Sequence, residues 1–405
     1  LSVRGERARG GHLGEAVPRR TRVAAGRGGI KRDSGDRGRL ARPADSPYPH
    51  GLGPTVPRRR RLRRSATRHG SGDGSGEGSM VRDLSAWVEV DLDAFAANLR
   101  WIRSRVGPDV RVHLVVKADA YGHGAPAIAR VAREEGVHSL GVATLHEGIE
   151  LRRDGSDLPI IILSPTLPSE AGAILENRLV PTVGNAETAA ALGERSEAAG
   201  VRTPVHVEID TGMGRSGVAP ADAVAFCAAL TQRPGLELAG LYTHFPKADV
   251  AEAQAMTDRQ IADFRQVVDA IRDAGIDPGL LHAANSAAVL GHADATFDMV
   301  RPGILAYGMT SSPAVPAPPE LRPVMRFATR LVHVREIPAG HPISYGGDFV
   351  SPERMRVGTA AVGYGHGLPF ALSGRGYALL RGRRVPILGR VTMDTTVFDL
   401  RGVPE

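Results

Sequence analysis

Past residue 80 the apolar positions gather into short runs separated by amphipathic stretches, at a spacing of about 20 to 35 residues. The runs predict strands at 112–117, 139–144, 160–164, 180–183, 205–210, 238–244, 280–285 and 299–307. Helical periodicity fills the intervals, over 125–133, 185–198, 220–230 and 251–274, with Pro and Gly at several boundaries. A strand at 86–90 and a helix at 94–106 come before the first repeat. Eight strand–helix repeats predict an α/β fold, a closed parallel (β/α)8 barrel of the TIM type, with functional groups at the carboxyl ends of its strands. An open doubly wound sheet would want a dinucleotide fingerprint after an early strand, and the sequence has none.

The proline-rich stretch 311–323 reads as a linker. Beyond it 324–336, 360–364, 377–380 and 385–400 alternate in the β manner without helices, which predicts a mainly β C-terminal domain. The expected organisation is a tail over 1–79, an N-terminal strand over 80–92 joining the β domain, the barrel over 93–323 and the β domain over 324–405. The last pattern stops at Glu405 without a terminal helix or capping turn, so an incomplete domain is expected.

A net charge of +7 over 405 residues suggests an anionic partner until the charge is divided along the chain. Residues 1–79 hold 19 Lys and Arg against 7 Asp and Glu, and the remainder holds 32 against 37. The globular part is mildly acidic, which gives no reason to expect nucleic acid or an anionic membrane as partner. The basic tail, with its run Arg58-Arg59-Arg60-Arg61, is rich in Arg, Gly and Pro and shows neither periodicity, so it is expected to be disordered. A nucleic-acid-binding arm would want interleaved aromatics, which are missing. Met80 follows Gly-Ser-Gly-Glu-Gly-Ser and precedes ordered-looking sequence, so translation is expected to start there, leaving the tail non-native. The single cysteine, Cys227, excludes a disulfide framework within one chain. No apolar run is long enough to cross a bilayer, and the two points together indicate a cytoplasmic protein.

The strand ends carry the chemistry. Reading only those ends collects Lys117, Asp210 with Arg215, His244, His282 with Asn285 and Ser286, and Arg301. Each has a bland reading: a snorkelling lysine, a satisfied core histidine, a surface arginine before a turn. On a barrel, however, they converge on one mouth. The run Val112 to Val116 carries Lys117 to the rim of a core, and a lysine amine freed of its proton attacks a carbonyl to form a Schiff base. Tyr121, Gly122 and Gly124 follow at once, offering a hydroxyl and close backbone approach to a helix start, equipment for holding a phosphate. Lysine plus phosphate cradle suggests pyridoxal phosphate. A metal-dependent hydrolase using His244, His282, His292 and Asp294 is the alternative, but the first strand lacks a His-x-His pair because Val115 follows His113 at that spacing.

From about Val88 to Leu400 the chain resembles the alanine racemase family. The resemblance rests on Val116-Lys-Ala-Asp-Ala-Tyr-Gly-His-Gly124, Asp210-Thr-Gly-Met-Gly-Arg215, Thr243-His-Phe245, Ala284-Asn-Ser286, Arg301-Pro-Gly-Ile304, Ser344-Tyr-Gly346 and Thr392-Met-Asp394. It implies racemisation of L-alanine to D-alanine with pyridoxal 5'-phosphate, serving peptidoglycan in the cell wall, by a homodimer without a metal. Lys117 would hold the cofactor and act as one acid-base group, and Tyr345 from the β domain of a partner subunit would be the other. Tyr121, Ser286, Gly303 and Ile304 would bind the phosphate, with Asn285 beside them. Arg301 would face the pyridine nitrogen, and Arg215 the phenolic oxygen and the substrate carboxylate. His244 would link Tyr345 to Arg301. The Met393 amide would orient the carboxylate from the partner, with Tyr364 and Asp394 near the entrance. Racemases of serine or of broad specificity share these motifs, and one or two pocket side chains separate them. A binding module that only stores the cofactor would lack the β domain.

Two departures stand out. The family often places a carbamylated lysine two residues before the Asp of the Asp-Thr-Gly-Met motif, where this chain has Glu208. A carboxylate has the same sign of charge, so Glu208 is expected to pair with Arg215, directly or through water. Family members also usually continue several tens of residues past Met393-Asp394.

Overall fold

A computed structural model describes residues 2–5, 84–313 and 315–404. These fall into compact units, one holding 84–332 and the other 333–404. Of the basic tail, only the short strand β1 (Ser2–Gly5) is described, with Ser2 opposite Ala328. The expectation for the rest of the tail, and for a start at Met80, lies outside the described residues.

In the first unit β2 (Ala86–Val90) leads into α1 (Leu92–Val106), whose Asp91 carboxylate accepts from Ala94 N at 2.8 Å and caps the helix. Phe95, Leu99 and Ile102 follow the helical period and are wholly buried. The eight apolar runs then form the strands β3 (Arg111–Val115), β4 (Ser139–Val142), β5 (Ile160–Pro165), β6 (Val180–Thr182), β7 (Thr203–Glu208), β8 (Leu236–Tyr242), β9 (Leu280–Asn285) and β10 (Met299–Arg301). Each pairs in parallel with the next, and β10 returns to β3 with Met299 opposite Arg111, closing the barrel. The runs are near-continuous because such strands are covered on both faces: Val112, Leu114, Val115 and Val116 are all buried. β10 stops at Arg301, short of the expected 299–307, since Pro302 cannot donate to the ladder and a 3-10 turn, Ile304–Tyr307, takes over.

The covering helices are α2 (Ala125–Glu134), α3 (Leu145–Arg153), α4 (Ala171–Glu176), α5 (Ala186–Ala198), α6 (Ala223–Thr231), α7 (Gln254–Asp273) and α8 (Ser286–Gly291). Two expected helices open less regularly than periodicity implied. A 3-10 turn at Pro220–Asp222 comes before α6 and another at Ala251–Ala253 before α7. After the barrel, β11 (Met325–Thr329) pairs antiparallel with β2, Met325 opposite Val90 and Thr329 opposite Ala86. The boundary between the compact units falls within the next strand, β12 (Leu331–Ile337).

In the second unit β13 (Pro342–Ile343) and β14 (Phe349–Val350) form a small hairpin with Tyr345 in its connection. β15 (Met355–Ala360), β16 (Gly376–Leu380), β17 (Arg383–Leu388) and β18 (Thr396–Asp399) make an antiparallel sheet in the order 15, 18, 17, 16. The sequence pattern misplaced two boundaries here. The run 385–400 is two strands parted by a loop, and 360–364 is the end of β15 followed by the 3-10 turn Tyr364–His366. The reason for the second is steric: a Cβ at Gly363 would lie 2.0 Å from the Thr392 carbonyl oxygen, so the chain bends there against the 389–395 loop.

Candidate active site

β3 ends in the core and the half-buried Lys117 follows at the mouth of the barrel. The turn expected at the glycines begins earlier. Ala118, Asp119, Ala120 and Tyr121 all have φ between 53° and 55°, a turn of left-handed helix without a glycine among them, and Gly122 N donates to Ala118 O at 3.0 Å. Such residues cost about 1–2 kcal/mol each, so the surroundings must hold them. Ala120 is wholly buried, Asp119 Oδ1 accepts from Ala125 N at 2.8 Å, and the Tyr121 ring packs on Tyr307 at 5.1 Å. Tyr307 in turn donates to the Val115 carbonyl at 3.2 Å.

The turn aims Tyr121 at Gly303. A Cβ at Gly303 would stand 2.5 Å from Tyr121 Oη, so glycine leaves the space that the hydroxyl fills. Ser286 closes the same corner, its Oγ accepting from Gly303 N at 2.9 Å and Leu305 N at 3.3 Å. Asn285 places Ser286: Oδ1 caps α8 by accepting from Ala288 N at 3.1 Å, and Nδ2 donates to Phe245 O at 3.0 Å. Two hydroxyls and the start of the Ile304 turn form a neutral donor set suited to a phosphate. Burial raises the pKa of the Tyr121 phenol, which keeps it a donor.

Arg301 is 4% exposed and is surrounded by acceptors. Nη1 donates to His282 O at 2.7 Å and to His282 Nδ1 at 3.0 Å; Nη2 donates to Thr243 O at 2.6 Å and Ala283 O at 3.0 Å, with His244 Nδ1 at 3.4 Å. Nε takes part in none of these bonds. The Tyr242 ring lies 5.0 Å from the guanidinium carbon and also stacks on His282. Burial lowers the Arg301 pKa to about 10, high enough to keep its charge at neutral pH.

Because guanidinium only donates, it dictates the imidazole tautomers around it. His282 must accept at Nδ1 and carry its proton on Nε2, which lies 2.8 Å from His206 Nδ1. His206 then carries its proton on Nε2. His244 likewise offers Nδ1 to Arg301 and keeps Nε2–H to donate. Burial first and the Arg301 charge second push His206 and His244 down to about 3 and His282 well below the usual histidine range; Arg215 and Lys117 add to the effect on His244. These rings are neutral at physiological pH.

Glu208, at the end of β7, is buried, with Oε2 accepting from Ser216 Oγ at 2.5 Å and Oε1 3.8 Å from Arg215 Nη2. Asp210 shapes the loop between them by accepting from Gly212 N and Gly214 N, each at 3.0 Å. Gly217, with φ of 107°, lets the loop return close to β7, since a Cβ there would lie 2.9 Å from Glu208 O. Arg215 thus points from a constrained loop, its side chain 53% exposed.

The second unit holds the remaining candidates. Tyr364 N donates to Thr392 O and Gly365 N to Met393 O, both at 2.9 Å, which brings Tyr364 beside Met393 and Asp394. Tyr345 stands on a separate connection, tied to the neighbouring loop by Ser344 Oγ donating to Arg390 O at 2.7 Å. Tyr345 is 73% exposed, Met393 55% and Tyr364 46%.

The alternative metal set is not assembled. His244 and His282 face Arg301, while His292 lies 3.4 Å from Asp258 and Asp294 lies beside Arg265. Among the described residues no cluster of three or more His, Cys, Asp or Glu side chains could hold a metal ion. No helix there is long and apolar enough to cross a membrane. Sequence reasoning missed His206, Tyr242 and Ser216. A polar residue inside an otherwise apolar barrel strand was the available signal for His206, two residues before Glu208.

The sequence profile of the alanine racemase N-terminal domain matches residues 90–311, and that of the C-terminal domain matches 324–405. An alanine racemase of Halothermothrix orenii is 39% identical over 319 residues, covering 79% of this chain and 84% of that relative. Solved structures of alanine racemase from Streptomyces coelicolor A3(2) and Clostridium difficile 630 are similar at 35% and 32% identity, with TM-scores of 0.76 and 0.74. Each covers 80% of this chain, and the shares of those chains covered are 87% and 84%. An alanine racemase from Bartonella henselae, solved with covalently bound pyridoxal phosphate, is 25% identical with a TM-score of 0.71, over 80% of this chain and 88% of that one.

Proposed function

The chain belongs to the alanine racemase family, and from that membership we propose a pyridoxal-phosphate-dependent, two-base interconversion of L- and D-alanine, carried out by a homodimer. The observation that carries this reading is Arg301, a buried guanidinium with its Nη groups fully engaged by carbonyls and imidazoles, at the barrel mouth that Lys117, Tyr121, Ser286 and Gly303 share. A barrel decarboxylase would want an acid at the pyridine nitrogen in its place.

When bound, pyridoxal phosphate supplies an electron sink that acidifies the Cα–H bond of alanine. Lys117 would hold the cofactor, the hydroxyls of Tyr121 and Ser286 with the backbone of Gly303 and Ile304 would hold its phosphate, and the Nε–H of Arg301 would meet its ring nitrogen. Asn285 acts through Ser286, which it sets in place. Arg215, partly neutralised by Glu208, would bind the carboxylate of alanine, with the Met393 amide orienting it and Tyr364 and Asp394 at the entrance.

Racemisation takes a proton from one face of Cα and returns one to the other, so it needs two groups. Lys117 Nζ would serve one face and Tyr345 Oη of the partner chain the other. His244 Nε2–H, oriented by Arg301, is a donor suited to the Tyr345 oxygen when that oxygen has given up its proton. The exposure of Tyr345 in the single chain supports its use by another copy. D-alanine for peptidoglycan, made in the cytoplasm, is the role this reading gives the product.

The test is D-alanine formation from L-alanine by the full chain with pyridoxal phosphate, beside Lys117→Ala. Loss of activity by at least about a thousandfold in the variant is expected. A variant as active as the parent would overturn the assignment of Lys117.

A further inference from the structure

Four successive positive-φ residues with side chains persist only where the surroundings over-determine them. One of the groups that does so lies outside the site assembled above. Glu147, in the first turn of α3, reaches back across the end of β4. Its Oε1 accepts from Ala118 N at 2.7 Å, and its Oε2 accepts from Ala143 N at 2.8 Å and Thr144 N at 3.2 Å. One carboxylate therefore gathers three amides from two neighbouring strand ends, a load that suits an ionised acceptor with several lone-pair sites.

Ala118 N is the amide that needs this help. It opens the left-handed turn, and the first amides of any helical turn find no carbonyl within it. The donors that the turn does satisfy begin at Ala120 N, which bonds Val116 O at 2.8 Å. Ala118 N also belongs to the planar peptide that joins it to Lys117, so fixing this bond fixes the plane from which Lys117 leaves the strand.

We propose that Glu147 is a positioning residue for Lys117, a clamp that holds the left-handed turn and so aims the lysine into the mouth of the barrel. The aim rests on reading Lys117 as the cofactor lysine; the clamp itself does not. Glu147 touches no reacting atom and acts through the Lys117–Ala118 peptide.

The test uses the full chain and three variants. Glu147→Ala removes the clamp, Glu147→Gln keeps one acceptor oxygen, and Thr144→Ala breaks the same helix cap without touching Ala118. Amide hydrogen exchange of residues 118–122 is followed before cofactor is added, and attachment of pyridoxal phosphate to Lys117 is then trapped with borohydride at limiting cofactor. In Glu147→Ala exchange should quicken, and trapping fall, by at least about tenfold, the change a charge-assisted hydrogen bond carries. Glu147→Gln should fall between, and Thr144→Ala should stay within about twofold of the parent even where it melts earlier. Unchanged exchange and trapping in both Glu147 variants, or equal losses in Thr144→Ala, would overturn the clamp. A parent chain that traps no cofactor on Lys117 would instead overturn the reading of the lysine, while faster exchange in Glu147→Ala would still support the clamp.

Discussion

The polar groups around Arg301 and those around Tyr345 are opposites. Arg301, His282 and His206 are buried, their proton positions follow from one guanidinium, and strands β7, β9 and β10 carry them. Tyr345, Met393 and Tyr364 stand on the connections of a β sheet and face outward. The first set is finished within one chain. The second lies at the surface, and the difference teaches that a single chain completes the polar network around Arg301 but leaves Tyr345 uncovered. A homodimer with shared sites is the proposal that uses both.

The sharpest way to break the contrast is to reverse the charge at its centre. Arg301→Glu leaves His282, His244 and three carbonyls facing a carboxylate, and racemisation should fall by at least about a hundredfold. The proposed role of Arg301 at the ring nitrogen adds a finer expectation. A carboxyl group can share a proton with that nitrogen where guanidinium cannot, so the residual turnover should shift toward transamination, read as pyruvate per alanine racemised. An unchanged ratio would separate Arg301 from reaction specificity.

Glu208 tests the edge of the same network. Glu208→Gln keeps an acceptor for Ser216 but removes the charge near Arg215. With a 3.8 Å separation and a half-exposed arginine, a moderate effect is expected: KM for alanine up about threefold to tenfold, kcat within about twofold. An unaltered KM would leave the pair without functional standing.

A separate test of the buried set concerns stability in acid. His206 and His244 stay neutral in the folded chain down to about pH 3 but take up protons below about 6.5 once unfolded. The unfolded state therefore binds more protons across that window, and stability must fall as the pH is lowered through it. Each such histidine contributes a slope of about 1.4 kcal/mol per pH unit. His206→Asn, which keeps an acceptor toward His282, should flatten the dependence of unfolding free energy on pH between about 4 and 6 by one proton's worth. Denaturant midpoints over that range read it, and an unchanged slope would mean that His206 is not held neutral.

The barrel was legible because parallel strands, covered on both faces, read as plain apolar runs, and because Lys117, His244, Asn285 and Arg301 punctuate their ends. Other parts depend on relations no local pattern carries. Nothing in Ala118-Asp119-Ala120-Tyr121 announces positive φ, since the glycines that would advertise it come afterwards. His206 matters only once the pleat points it inward at His282, and Glu147 only once two strand ends lie side by side. The run 385–400 hid a break because alternation continues through Gly389 to Thr395, although the loop there is shaped by contacts with Gly363 and Gly365.

The central claim, that one site draws Lys117 and Tyr345 from different chains, is tested by mixing. Lys117→Ala and Tyr345→Phe chains are each purified, shown to be nearly inactive, then mixed under conditions that exchange subunits. A shared site predicts that each hybrid dimer regains one intact lysine–tyrosine pair, restoring about a quarter of parental racemase activity in an equal mixture. If both residues act within one chain, no hybrid contains an intact site, and a mixture as inactive as its components would contradict the account.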